Sequence, residues 1–293
     1  MKKVIAFVLA AIMMLGCIAT FTACSKEEED KLIGFDIDLA KAVVDYLNEK
    51  YDTDIAVEFV VIEWNQKEAL LENGSIDLVW NGMTITEERL ENMAMSVPYL
   101  ANKQVAIVAK DKAADFGTTK ESFVEAAKNC IVTCEKGSAG EALVVNEDET
   151  LNYGKDYLAA STQLDALNAL KKGDADIAII DSVMAGYYMN TGDSYKDYQI
   201  LSSVVLAEEE YGIGAKKGSD ALISKINEAL IALVGSDYKT VADTYGLTSE
   251  LLVKADTQNP QAGAADGSWD KIVESGKLVI GYTKFAPIAY EKD

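Results

Sequence analysis

Gly74-Ser75-Ile76-Asp77-Leu78-Val79-Trp80-Asn81-Gly82-Met83-Thr84-Ile85-Thr86-Glu87-Glu88-Arg89 is the stretch on which the reading of this chain turns. Ile76, Leu78, Val79 and Trp80 predict a short buried strand, and Thr86 followed by Glu87 and Glu88 predicts the cap and acidic first turn of a helix. A strand thus runs straight into a helix N-terminus, where free backbone N–H groups form an anion site. The same dipole disfavours a cation in the first turn, which is where Arg89 falls. Two kinds of partner fit that cation. One is Glu87, Glu88 or a nearby carboxylate in a solvated surface pair. The other is the carboxylate of a ligand, gripped by the guanidinium fork with Gly82 and Thr84 beside it.

Outward from this stretch, strands and helices alternate, which means an α/β layer structure. Asp36 is a plausible N-cap for a helix carrying Leu39, Val43 and Leu47 at helical spacing to Tyr51. Ile55 to Val61 reads as a strand followed by Trp64, and Asn65 to Asn73 as a helix stopped by Gly74. Beyond the strand Val105 to Ala109 the logic repeats. Ile131 to Cys134 is a strand, and Gly137-Ser138-Ala139-Gly140-Glu141 is a turn with a Ser-x-x-Glu capping box. A helix lined by Leu164, Leu167 and Leu170 ends at Gly173, and the strand Asp176 to Ile180 delivers Asp181 at its C-terminal end. Leu71-Glu72-Asn73-Gly74-Ser75-Ile76-Asp77 and Leu170-Lys171-Lys172-Gly173-Asp174-Ala175-Asp176 match in kind, so two halves of similar design are implied. Ligands of open α/β sheets sit beyond the carboxyl ends of strands, which places Asn81 to Arg89 and Asp181 at one cleft. Tyr211 to Ala215 reads as a return strand, followed by helices over Leu222 to Leu233 and Tyr238 to Tyr245. Lys254 to Ser268 has linker composition, and Trp269 to Asp293 reads as a helix, Gly276 and the strand Lys277 to Tyr282.

Composition narrows the function. Acids outnumber bases 48 to 27, a net charge of −21 that repels nucleic acid. The chain has no histidine, which excludes a Ser-His-Asp triad, a Cys-His dyad and histidine-containing zinc sites. No cofactor and no metal is expected. Met1 to Cys24 has two lysines, an apolar run and small residues ending in cysteine, the pattern of a secretory leader. Cys17 and Cys24 both stand in lipobox-like contexts; Cys24 is favoured, because Ser25 to Asp30 then forms a polar tether. Cys130 and Cys134 would be about 13 Å apart in an extended strand, too far for a disulfide, and read as separate buried thiols.

The run Gly74 to Gln104 resembles the signature of the polar amino-acid binding proteins of ABC transporters, with the type 2 periplasmic binding protein fold. That resemblance implies two Rossmann-like lobes joined by two crossover strands with a ligand cleft between them. Arg89 would hold the ligand α-carboxylate, helped by the N–H groups of Ser138 and Ala139. Asp181 would take the α-ammonium with the Thr84 hydroxyl and the Gly82 carbonyl. Phe285 and Trp64 would sandwich the side chain, with Asn81, and more weakly Tyr282 and Lys284, adding selectivity. A strand-end helix cap with Ser182 is the plainer role for Asp181. In the family the piece from Trp269 to Asp293 comes first, so the chain looks circularly permuted. The implied division is a lipoprotein signal peptide at 1–24, a tether at 25–30, lobe 1 from 31–108, 209–254 and 269–293, lobe 2 from 109–208, and a linker at 255–268.

The function implied is an exported, lipid-anchored, monomeric receptor that delivers an amino acid to an ABC permease, without catalysis. A dehydratase of cyclic dienyl acids on the same scaffold, or a detached ligand-sensing domain, are the competing readings. The aromatic walls, Asn81 and no obvious extra acid suggest a neutral polar ligand such as glutamine or cystine, or an acidic one if Lys284 turns inward.

Overall fold

A computed structural model describes residues 31–145 and 156–292. The leader, the tether, Cys17 and Cys24 lie outside them. The strands are β1 (Leu32–Ile33), β2 (Ala56–Val61), β3 (Leu78–Thr84), β4 (Met93–Met95), β5 (Leu100–Ala109), β6 (Ile131–Glu135), β7 (Asp156–Ala160), β8 (Ile177–Asp181), β9 (Tyr198–Lys216), β10 (Lys277–Tyr282) and β11 (Tyr290–Glu291). The helices are α1 (Phe35–Tyr51), α2 (Lys67–Asn73), α3 (Glu87–Asn92), α4 (Lys120–Ala127), α5 (Ala139–Val145), α6 (Gln163–Lys172), α7 (Ser182–Asn190), α8 (Asp220–Ala232), α9 (Asp237–Tyr245) and α10 (Ser268–Ser275).

Two long antiparallel strands, β5 and β9, run side by side through the middle of a nine-stranded sheet. On one flank β9 pairs antiparallel with β3, after which β10 and β2 continue in parallel. On the other flank β5 pairs antiparallel with β8, after which β6 and β7 continue in parallel. Each flank therefore carries parallel strands covered by helices, which is why these strands read as apolar runs. One core packs α1, α8 and α9 against β3, β9 and β10, around the buried Phe35, Trp80, Tyr99 and Tyr238. Across the sheet's middle, separate apolar clusters form around β6 and β8, with Phe123, Val132, Ile177 and Ile179 in one and Leu167, Leu170 and Ile180 in the other.

Several element ends differ from the sequence reading for identifiable reasons. Asp36 does not cap α1, whose N-cap is Gly34. Its carboxylate instead turns into the core and accepts from the Gly82 N–H (2.8 Å) and the Tyr99 hydroxyl (2.8 Å). β5 begins at Leu100, five residues before the apolar run, because Ala101 to Gln104 pair with β9 despite being polar in part. The Ser138 capping box is displaced by one residue: the Glu141 N–H donates to Ser138 Oγ, but the Glu141 carboxylate accepts from the Gly137 N–H. Gly74 and Gly173 end α2 and α6 in left-handed conformations, at φ 75° and 81°. Cys130 and Cys134 are free thiols, and burial pushes the latter up to about 12.

β10 lies between β2 and β3 although it comes from the end of the chain. Leu32 and Ile33 pair antiparallel with Glu291 and Tyr290, and the Lys292 N–H donates to the Lys31 carbonyl (2.9 Å). Residues 255–267 form no regular element before α10, yet they are docked: Asp266 accepts from the Ala221 N–H, and the Asn259 amide donates to the Ser224 carbonyl.

Candidate functional site

The carboxyl ends of β2, β3 and β10 meet those of β6 and β8 around one cavity. Trp64, Asn81, Gly82, Thr84, Arg89, Ser138, Ala139, Asp181 and Phe285, nine of the residues singled out in the sequence, line it. Its free volume is small, about 20 Å³, room for about one water molecule. Gln104, Glu135, Gln163, Thr283 and Lys284 complete the lining. Tyr282 does not reach it; its ring is buried edge-on against Phe59. The Lys284 ammonium points away to Glu291 (2.7 Å) on the exposed rim, so it does not turn inward.

Arg89 sits in the first turn of α3, where Thr86 Oγ1 accepts its backbone N–H (3.2 Å). The solvated pairing with Glu87 or Glu88 is not formed, and the guanidinium is buried at 7% exposure. Nη1 donates to the Thr84 carbonyl (2.7 Å) and Nη2 to the Gly137 carbonyl (3.4 Å), so the group bridges the two flanks. Burial pulls its pKa down, opposed by Glu209, Glu68, Asp181 and Glu88, but a guanidinium stays charged in any case.

Asp181 ends β8 in the N-cap position of α7, yet its side chain makes no capping bond. It faces the cavity side instead, where Oδ1 accepts from the Asn102 and Gln104 amides (Gln104 at 2.6 Å) and Oδ2 from the Gln163 amide. Gln104 is its cross-strand partner on β5, which explains why that amide is in reach. Asn102 and Gln104 also donate to Glu209 on β9, at 2.9 and 3.0 Å, and Thr84 Oγ1 donates to the same carboxylate (3.1 Å). Burial raises both acids, and their mutual repulsion raises Asp181 further. The pair therefore holds its full double charge only at a cost.

Apolar walls complete the arrangement. Trp64 and Phe285 are both buried, and Lys67 lies over the Trp64 ring at 4.9 Å from its centroid. Asn81 donates to Thr283 Oγ1 (2.9 Å). Gly82 has φ +61°, and a Cβ there would meet the Phe285 ring at 2.8 Å, so backbone conformation and space both require glycine. The site thus has a fixed cation at one place, carboxylates at another and aromatic faces between the flanks. Sequence reasoning passed over Gln104, Glu135 and Gln163. The pairing of β5 and β6 with β8 gives Gln104 and Glu135 their place, and Gln163 reaches Asp181 from the first turn of α6.

A profile of the bacterial extracellular solute-binding proteins, family 3, matches residues 15–248. The chain belongs to this family. Proteins similar to it include the ABC transporter glutamine-binding protein GlnH of Bacillus subtilis, 31% identical over 198 residues that cover 67% of this chain and 66% of that one. Among solved structures, an ABC uptake transporter substrate-binding protein from Streptococcus pneumoniae with bound histidine is 33% identical, with a TM-score of 0.60 over 72% of this chain and 82% of that one. A mutant of ArgBP from T. maritima is 30% identical, with a TM-score of 0.62 over 74% and 86%. The fold is that of a type 2 periplasmic binding protein. As a member of family 3 the chain is an extracellular solute-binding protein of the amino-acid ABC-transporter class, and not an enzyme.

Proposed function

We propose that the cavity between the two flanks captures a free amino acid and that the closed form is presented to an ABC permease. The observation that carries this reading is the opposition of Arg89, buried and reaching both flanks, to Asp181 in its shell of amide donors. In this reading Arg89, with the N–H groups of Ser138 and Ala139, holds the α-carboxylate. Asp181, the Thr84 hydroxyl and the Gly82 carbonyl hold the α-ammonium, and Trp64, Phe285 and Asn81 receive the side chain. Three of the four acceptor positions of the Asp181 carboxylate are used by amides, which leaves one for an ammonium. The present volume of about 20 Å³ is far below the several hundred of an ordinary ligand pocket, so the ligand enters by parting of the flanks about β5 and β9. Named relatives that bind glutamine or histidine are consistent with such a ligand.

The finer assignments belong to the same proposal. Lobe 1 is 31–108, 209–254 and 269–293, lobe 2 is 109–208, and 255–268 is a linker between the last two segments of lobe 1. The chain is permuted relative to its family, a reading supported by β10 lying between β2 and β3, by the Lys31–Lys292 contact, and by the family match ending at residue 248. Residues 1–24 are a signal peptide, Cys24 carries the lipid, and the six residues 25–30 tether a monomeric body. Changing Cys24 to serine should move the protein from the membrane fraction to the soluble one, and Cys17→Ser should not; the reverse result transfers the anchor to Cys17.

Calorimetric titration of ligand-stripped protein against the twenty amino acids and cystine tests the function. At least one should bind with 1:1 stoichiometry and be recovered chemically unchanged. Absence of binding across the panel, or a product detected by mass spectrometry, contradicts the reading.

A further inference from the structure

Glu135 ends β6 near Asp181, and among the acids of the cavity lining it is the one with a side-chain oxygen that accepts no hydrogen bond. It is 4% exposed, and its Oε1 has no hydrogen-bond partner among the described residues. None of the ion pairs among the described residues includes it. Lys67 is the nearby cation, but its ammonium is held behind Trp64 by the carbonyls of Trp64 (3.4 Å) and Gly137 (3.2 Å). Burial, with Asp181 adding to it, pushes Glu135 up to about 8, while Lys67 and the Gln163 amide work in the other direction. A buried carboxyl oxygen without a hydrogen-bond partner is expensive, and such groups persist where a ligand supplies what the fold withholds.

Charge matching identifies the missing partner. A plain zwitterion placed on Arg89 and Asp181 satisfies those two groups and leaves Glu135 alone. An amino acid with a second cationic group satisfies all three, and the faces of Trp64 and Phe285 are suited to its stem or to a flat guanidinium. We infer that the ligand is an amino acid with a cationic side chain and that Glu135 selects it. The inference rests on the amino-acid reading of the cavity and replaces the expectation of a neutral or acidic ligand, which took no account of Glu135.

The test is calorimetry at neutral pH with L-arginine, L-lysine, L-histidine, L-glutamine and L-glutamate on the wild-type protein and on Glu135→Gln. Arginine or lysine should bind the wild type on the order of 100-fold more tightly than glutamine, the loss expected when a buried charge pair lacks one partner. Glu135→Gln should remove most of that preference. If Glu135→Gln does not fold, as judged by circular dichroism, the panel on the wild type decides alone. Glutamine or glutamate binding as tightly as the cationic amino acids, or arginine binding that survives Glu135→Gln within threefold, overturns the inference and leaves the amino-acid reading standing. Failure of every amino acid to bind overturns both.

Discussion

Asp36 marks how far a residue can depart from its local signal. In sequence it looks like a helix cap; in the fold it is a buried carboxylate beneath the cavity, bonded to the Gly82 N–H and the Tyr99 hydroxyl. Burial raises it to about 7, although the hydrogen bonds from Tyr99 and Gly82 pull the other way. The folded state therefore binds this proton more tightly than the unfolded chain. Stability falls as pH rises from about 4 to about 7, and the cost is complete above that. Asp36→Asn should consequently gain stability relative to wild type between pH 5 and pH 8, by about 2 to 3 kcal/mol, as read from urea denaturation at the two pH values. A constant difference across that range would remove the assignment. Gly82→Ala should act in the opposite sense at all pH values, losing about 1 to 3 kcal/mol and weakening ligand binding, because φ is positive and the Phe285 ring occupies the new methyl's place. Arg89, Thr84 and Asp181 were legible in the sequence because each ends or begins an element in a recognisable motif. Glu135, Gln104 and Gln163 were not, since nothing local distinguishes a polar residue in a strand or helix that faces a cavity from one that faces water.

At the scale of elements, the turn between β6 and α5 is held by side chains rather than by its ligand. Ser138 Oγ accepts the Glu141 N–H (3.1 Å), and Glu141 in turn accepts from the Gly137 N–H and from the Tyr157 hydroxyl (2.7 Å). Ser138→Ala should therefore lower stability by about 1 kcal/mol in thermal denaturation. Amino-acid affinity should change less than tenfold, because the ligand would use backbone N–H groups there; a larger loss would give the hydroxyl itself a role. Helices such as α1 and α6 and the buried strand β8 were legible from apolar period and glycine stops. The long strands β5 and β9 were only partly so. Their partly polar stretches, Ala101 to Gln104 and Ala207 to Glu210, pair with each other in the middle of the sheet, and there cross-strand hydrogen bonding overrides the alternation that sequence can display.

For the whole molecule, the order of the strands matters more than the order of the chain. β10 fills the place between β2 and β3, and the described chain ends meet at the Lys31 carbonyl. A reordered protein in which residues 269–293 run directly into Lys31 should keep the circular dichroism spectrum and bind its amino acid within a few-fold of the present chain, since surface turns tolerate such cuts. Truncation after Ser268, by contrast, takes out β10 and should leave no cooperative unfolding transition. The alternation of elements, the two similar halves and the displaced last strand could all be read beforehand; the closeness of the flanks around the cavity could not, because it depends on packing between distant segments. The central claim, that this cavity holds an amino acid by its charged ends, is tested most directly by calorimetric titration of folded Arg89→Ala with the amino acid that the wild type binds best. A loss of about 3 to 5 kcal/mol, several hundredfold or more, is the predicted result; affinity within threefold of wild type would contradict it.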